Sequence, residues 1–225
     1  DNRQSLHFKQ LFDSIKFFEF NNLYHEHISY GTLNDSEGNP FKTRDGGTKP
    51  LSELFDETYK YIKNINSSLE DSKIKQLTNS VLTFSDLITN RKTDYKFDLE
   101  KFTNVNGKTG IYVQYAQVRA KKLQESINHQ KSEFGSLVLS DVDKHLLSYL
   151  YMFSYFLEQS SLLNEPHHLA NYLYDISNLF NQFYEHERIS EIKELNHLSS
   201  KLYLTNLFLT TSQNVMFCLG IKPVN

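Results

Sequence analysis

Residues 165–185 read EPHHLANYLYDISNLFNQFYE, and this stretch decides the fold class. Leu169, Tyr172, Leu173, Ile176, Phe180 and Phe183 recur at spacings of three and four, which draws one apolar stripe along a helix. Asn164 and Pro166 mark its start, because a proline at the beginning of a helix loses no hydrogen bond. Downstream, a last helix is predicted from about 197 to 219, stopped by Gly220 with Pro223 beyond. Upstream, Ser140 with Asp143 resembles a capping box, and a long apolar helix follows it to about residue 162. Ser67 with Glu70 fits a second capping box. Pro50 stands where a further helix begins, with Leu51, Leu54, Phe55, Thr58 and Ile62 on one face. Leu6, Phe8, Leu11, Phe12, Ile15 and Phe18 predict a helix within 5–20.

Two regions break the helical period. Residues 23–33 (LYHEHISYGTL) read as a strand or a strand pair, followed by a polar, glycine-rich loop. From about 90 to 110, RKTDYKFDLEKF reads as extended and TNVNGKTG as a turn. The chain is therefore expected to be mainly α: a short mixed α/β stretch over about 1–48, then a helical region long enough for a bundle.

Composition narrows the class. The chain has 225 residues and a formal net charge of −3, with Cys218 its single cysteine. No disulfide can form within it, which points to a reducing, cytoplasmic setting. No apolar run approaches the roughly 18 residues of a membrane span. Charge is uneven. Residues 1–66 carry 8 Lys+Arg against 10 Asp+Glu, residues 67–135 carry 11 against 8, and residues 136–225 carry 5 against 9. A mildly basic middle sits inside an acidic whole, which by itself is no footprint for nucleic acid.

General motifs return little. There is no GxGxxG, GxSxG, HExxH or CxxC. Gly107-Lys108-Thr109 resembles the end of a phosphate loop, but Phe102 stands where the first glycine of that motif belongs. His25 and His27 alternate and could share a face. His167 and His168 are adjacent at a helix start and are expected to point to different faces. Neither pair has a third ligand at a metal-site spacing, so no metal site is expected.

Longer motifs say more. Residues 91–122, RKTDYKFDLEKFTNVNGKTGIYVQYAQVRAKK, resemble the start of the anticodon-binding domain of arginyl-tRNA synthetases. The matching residues are Arg91, Asp94, Tyr95, Phe97, Asp98, Gly107, Thr109, Gly110, Tyr112, Gln114, Tyr115, Ala116 and Arg119. Ile111 replaces the family's usual proline. The 165–185 helix and the ending LYLTNLFLTTSQNVMFCLGIKP resemble later segments of the same family, in the right order. DNRQSLHF (1–8) is similar to the end of its catalytic core. Phe41-Lys42-Thr43-Arg44-Asp45-Gly46 is similar to its degenerate lysine–serine loop, with Asp45 in place of serine.

The resemblance implies an architecture and a chemistry. Residues 1–66 would be the C-terminal edge of a Rossmann-type class I catalytic domain, and 67–225 a helical anticodon-binding domain. The H-x-G-H motif of class I enzymes is absent and the chain begins at Asp1, so it is expected to be the C-terminal part of a longer enzyme and inactive alone. That enzyme would activate arginine with ATP and Mg²⁺ and pass it to the 3′ end of tRNA(Arg); this part would bind no cofactor tightly. Lys42, Thr43 and Arg44 would form the ATP loop, with Arg44 offsetting charge on the departing pyrophosphate. Gln4 would contact arginine. For tRNA, the resemblance points to Tyr112 and Tyr115 as stacking faces, Gln114 as a base reader, and Arg119, Lys121 and Lys122 as phosphate contacts. A free-standing tRNA-binding module and a helical protein–protein scaffold remain the alternatives.

Overall fold

A computed structural model describes residues 1–20, 23–34, 50–96, 98–127 and 136–224. The chain divides into two compact units: residues 1–49 with 89–98, and residues 50–88 with 99–225.

In the first unit, Asp1 caps a short 3₁₀ turn by accepting a hydrogen bond from the Arg3 N–H at 2.8 Å. Helix α1 (Ser5–Phe17) follows. The expected strand over 23–33 is not formed. Residues 23–32 run without regular structure, and only β1 (Leu33–Asn34) is a strand, paired in parallel with β2 (Tyr95–Lys96). The alternation of His25 and His27 does hold. Both rings turn toward α1, with His27 stacked on Phe8 at 4.2 Å and His25 on Phe12 at 5.7 Å. The Arg91 and Asp94 motif residues pin this segment down. The Arg91 guanidinium donates to the Ser29 carbonyl, and the Asp94 carboxylate accepts from the Thr32 N–H at 2.6 Å. That bond holds the Asp94 carboxyl below its ordinary range. Gly31 is required here, because a Cβ would lie 2.6 Å from the Thr93 carbonyl.

The second unit is helical: α2 (Leu51–Ile65), α3 (Asp71–Leu87), α4 (Leu99–Phe102), α5 (Gly110–Ile127), α6 (Asp141–Leu150), α7 (Phe153–Leu163), α8 (His167–His186) and α9 (Leu195–Cys218). The expected division at 66/67 falls between α2 and α3, which pack on one another within this unit. Helix α8 is its axis, touching α5, α6, α7 and α9. The whole stripe predicted for it is buried, from Leu169 to Phe183. Phe180 stacks on Phe208 of α9 at 4.2 Å and 11°.

Local signals succeed in some places and fail in others. Ser140 and Asp143 form the expected capping box, with Ser140 N–H donating to Asp143 Oδ2 at 2.9 Å. Ser67 and Glu70 do not. Glu70 itself is the N-cap of α3, without a side-chain bond. The single helix expected from 141 to 162 is two, broken at Tyr151–Met152. The break has a tertiary cause. The buried Tyr172 hydroxyl donates to the Leu150 carbonyl at 3.0 Å, satisfying an acceptor that an unbroken helix would have used itself. Asn164 then ends α7 in the left-handed conformation.

A charged cluster lies inside this unit. Lys201 of α9 is 0% exposed. Its ammonium donates to both Asp143 oxygens at 2.7 Å and pairs with Glu187, just past α8. His197 Nε2 lies 3.2 Å from Glu187 Oε1. One ammonium thus joins the start of α6, the end of α8 and the body of α9.

Candidate nucleic-acid interface

The Gly-x-Thr-Gly turn aims α5. The Thr109 hydroxyl donates to the Asn104 carbonyl at 2.6 Å and accepts from the Tyr112 N–H at 3.2 Å, an N-cap arrangement. At Gly110 a Cβ would come within 2.8 Å of Val81 N and closer still to the Ser80 carbonyl, so only glycine lets α5 approach α3 this closely.

Along α5 and the facing side of α8 runs a row of alternating cations and aromatic rings. Lys108 Nζ lies 5.0 Å above the Tyr174 ring and donates to Asn171 at 3.2 Å. Tyr174 packs on Tyr112 at 5.2 Å, and Tyr112 donates its hydroxyl to Asn178 at 3.1 Å. Burial pushes the Tyr174 phenol up. Further along, the Arg119 guanidinium lies 4.4 Å from the Tyr115 ring centre and 5.0 Å from that of Tyr184. It donates to Asn181 and Glu185, each at 3.0 Å, and to the Tyr115 hydroxyl at 2.9 Å. Tyr115 is 50% exposed, and Tyr184 also reaches solvent. The row ends at an open depression of about 470 Å³, lined by Lys122, Leu123, Tyr184, Glu185 and Arg188 among others.

The residues expected from the sequence separate here. Tyr112, Tyr115, Arg119 and Lys122 belong to this surface. Lys121 is half-buried beside it. Arg119 spends three donor bonds on the protein itself, so it fixes the two tyrosine rings as much as it offers charge. Gln114 is a correction. It is 1% exposed, and its amide nitrogen donates to Ser80 Oγ and to the Lys222 carbonyl, both at 2.7 Å. Its oxygen accepts from the Val224 N–H at 2.8 Å. With the amide committed to the interior, no base edge reaches it. Gln4 is exposed at the end of the first 3₁₀ turn. Lys42, Thr43 and Arg44 lie outside the described residues. Tyr174, Asn178, Asn181 and Glu185 are the partners the sequence reading did not assign. Their signal was their spacing on the face of α8 beside its core stripe.

Two groups of carboxylate and imidazole atoms converge within 4.8 Å among the described residues: Glu165, His167 and His168, and Asp143, Glu187 and His197. Contrary to expectation, His167 and His168 do not diverge; their ring centres lie 4.1 Å apart. Among the described residues no helix is long and apolar enough to cross a membrane.

Comparison with known proteins assigns most of the chain, with a boundary that differs from that between the two compact units, since residues 50–88 of the helical unit fall in the first match. Residues 1–99 match the family described as tRNA synthetases class I (R), catalytic domain, and residues 113–225 match the DALR anticodon binding domain. An arginine–tRNA ligase of Alcanivorax borkumensis is 33% identical over 238 aligned positions, covering 100% of this chain and 40% of that protein. One of Francisella tularensis subsp. novicida is 36% identical over 195, covering 82% of this chain and 34% of that protein. The chain thus spans well under half the length of these relatives. In fold it is similar to the Thermus thermophilus arginyl-tRNA synthetase (TM-score 0.76, 21% identity, 88% of this chain and 34% of that one). It is similar also to the enzyme of Plasmodium falciparum (TM-score 0.73, 23% identity, 100% and 40%).

Proposed function

Since the chain belongs to the arginyl-tRNA synthetase family, spanning the end of the catalytic domain and the anticodon-binding domain, we propose that its helical unit binds the anticodon stem-loop of tRNA(Arg) through the α5–α8 surface. The observation that carries this reading is the pair of exposed rings, Tyr115 and Tyr184, held apart by one guanidinium. Unpaired loop bases stack on such faces, each worth about 1–3 kcal/mol. Lys108, Lys122 and Arg188 supply the flanking positive charge for phosphates. Tyr112 supports Tyr174 rather than standing free.

Within a whole enzyme the chemistry would be arginine activation by ATP with Mg²⁺, then transfer to the tRNA, in the cytoplasm. Gln4 would accept from the substrate guanidinium. Lys42, Thr43 and Arg44 would close over the triphosphate, a role resting on their motif alone. The 225 residues contain no H-x-G-H, so the chain by itself is expected to give no arginine-dependent pyrophosphate exchange.

The test is binding of tRNA(Arg) and of an anticodon-substituted version at 50 and 200 mM salt. The reading expects tighter binding of the native anticodon and weaker binding at high salt. Tyr115→Ala should weaken native binding about 5- to 150-fold, the stacking energy of one base. Equal affinity for both anticodons, unaffected by Tyr115→Ala, would leave a general tRNA-binding module. Absence of binding would leave the protein–protein scaffold.

A further inference from the structure

At the entry to α8 the chain folds three metal-ligating atoms toward one point. The left-handed Asn164 ends α7, and the Glu165 N–H donates back to the Ser160 carbonyl at 3.0 Å. This turns the Glu165 side chain over the first residues of α8, where it is 8% exposed. Glu165 Oε2 lies 3.5 Å from His168 Nε2 and 3.9 Å from His167 Nδ1. Neighbouring helix residues ordinarily diverge by about 100°. Here the rings converge because His167 presents its near nitrogen and His168 its far one.

The separations are long for hydrogen bonds. They are close to the edge of a tetrahedral coordination shell, about 3.3 Å for bonds of 2.0–2.1 Å. Among the described residues, His168 Nε2 is buried and neither accepts nor donates a hydrogen bond. A buried imidazole nitrogen left this way is costly unless something binds it. The other convergence, Asp143 with Glu187 and His197, is different. The Lys201 ammonium already sits among its carboxylates, and a metal ion would have to displace it.

We infer that Glu165, His167 and His168 bind a transition-metal ion, with Zn²⁺ the best match. One carboxylate and two imidazoles are a borderline donor set that suits Zn²⁺, and Mg²⁺ or Ca²⁺ would take oxygen ligands instead. A fourth ligand, such as water, would complete the tetrahedral set. The ion would clasp the end of α7 to the start of α8. It works against the positive end of the α8 dipole, and the Glu165 charge offsets this.

The experiment is titration of the complete chain with Zn²⁺, and with Co²⁺ as a spectroscopic probe. Expected are one tight equivalent, the absorption of tetrahedral Co²⁺, and a higher Tm with metal. His168→Ala and Glu165→Gln should each weaken binding at least tenfold and abolish the metal-dependent Tm rise, while His186→Ala, at an exposed site away from the cluster, changes neither. If His168→Ala melts early without metal, His167→Gln decides instead. No tight equivalent, or one that survives these substitutions, overturns the site.

Discussion

Replacing Lys201 by Met tests whether the buried ammonium is a structural centre. Methionine has a similar length and keeps the apolar stem packed near the Phe183 ring, which the ammonium approaches at 5.0 Å. What it removes is charge. Among the described residues, the Asp143 carboxylate, 0% exposed, then keeps only its capping-box bond to the Ser140 N–H. Glu187 loses its nearest cation. Breaking a buried pair by deleting one partner costs about 3–5 kcal/mol. For a chain of this size each kcal/mol is about 2–4 °C in Tm, so the fall should be about 6–20 °C. Urea unfolding should show the same loss at unchanged slope. Adding Asp143→Asn to Lys201→Met should recover part of it, because asparagine still accepts the Ser140 N–H but carries no charge. Salt should barely alter the cost, since a buried pair is little screened. A loss below about 1 kcal/mol, or a double variant worse than the sum of its parts, would refute the assignment.

Other consequences follow from single positions. Burial alone would raise the Glu187 carboxyl, but its bond to Lys201 outweighs this and holds it below its ordinary 4.5. Its stabilisation is therefore present above that value and lost as pH falls below it, and Lys201→Met should flatten that acid limb of a Tm–pH curve. Gly110→Ala drives a Cβ into the Ser80–Val81 backbone, and calorimetry should register a loss of about 1–3 kcal/mol as α3 and α5 are forced apart. Gln114→Leu leaves Ser80, Lys222 and Val224 without their bonds, at about 1–3 kcal/mol for each group that stays buried. Residues 222–224 should be released instead, visible as faster carboxypeptidase trimming. Gly220→Ala meets no atom of the described residues within 4 Å but keeps φ at +70°; its cost should be the left-handed backbone penalty of about 1–2 kcal/mol, with Gly220→Asn milder.

Signals confined to a few residues were legible in the sequence. The α8 stripe, the Ser140–Asp143 box and the Gly220 stop each depend on neighbours within one or two turns. The readings that failed depend on distant partners. Helix α7 is separate from α6 because Tyr172, about twenty residues on, takes up a carbonyl at the junction. The 23–33 segment alternates like a strand, yet two phenylalanines of α1 and the side chain of Arg91 hold it where no full ladder forms. Gln114 carries the same amide whether it faces a base or the interior, and only the positions of Ser80, Lys222 and Val224 distinguish the two. His167 and His168 were assigned to different faces from backbone direction alone; side-chain reach reversed that. The tyrosines of α5 were found by motif, whereas their α8 partners needed the packing of the two helices.

The Gln114 amide also sets an order of events. Its partner Ser80 lies 34 positions upstream, while Lys222 and Val224 lie 108 and 110 downstream. During synthesis α3 and α5 exist long before the groups that complete this bond set. Until residues 222–224 arrive, the carboxamide has Ser80 as its one partner of the three, and its oxygen and second amide hydrogen are left to water. The bond set on the buried side of α5 is thus completed last, by Lys222 and Val224.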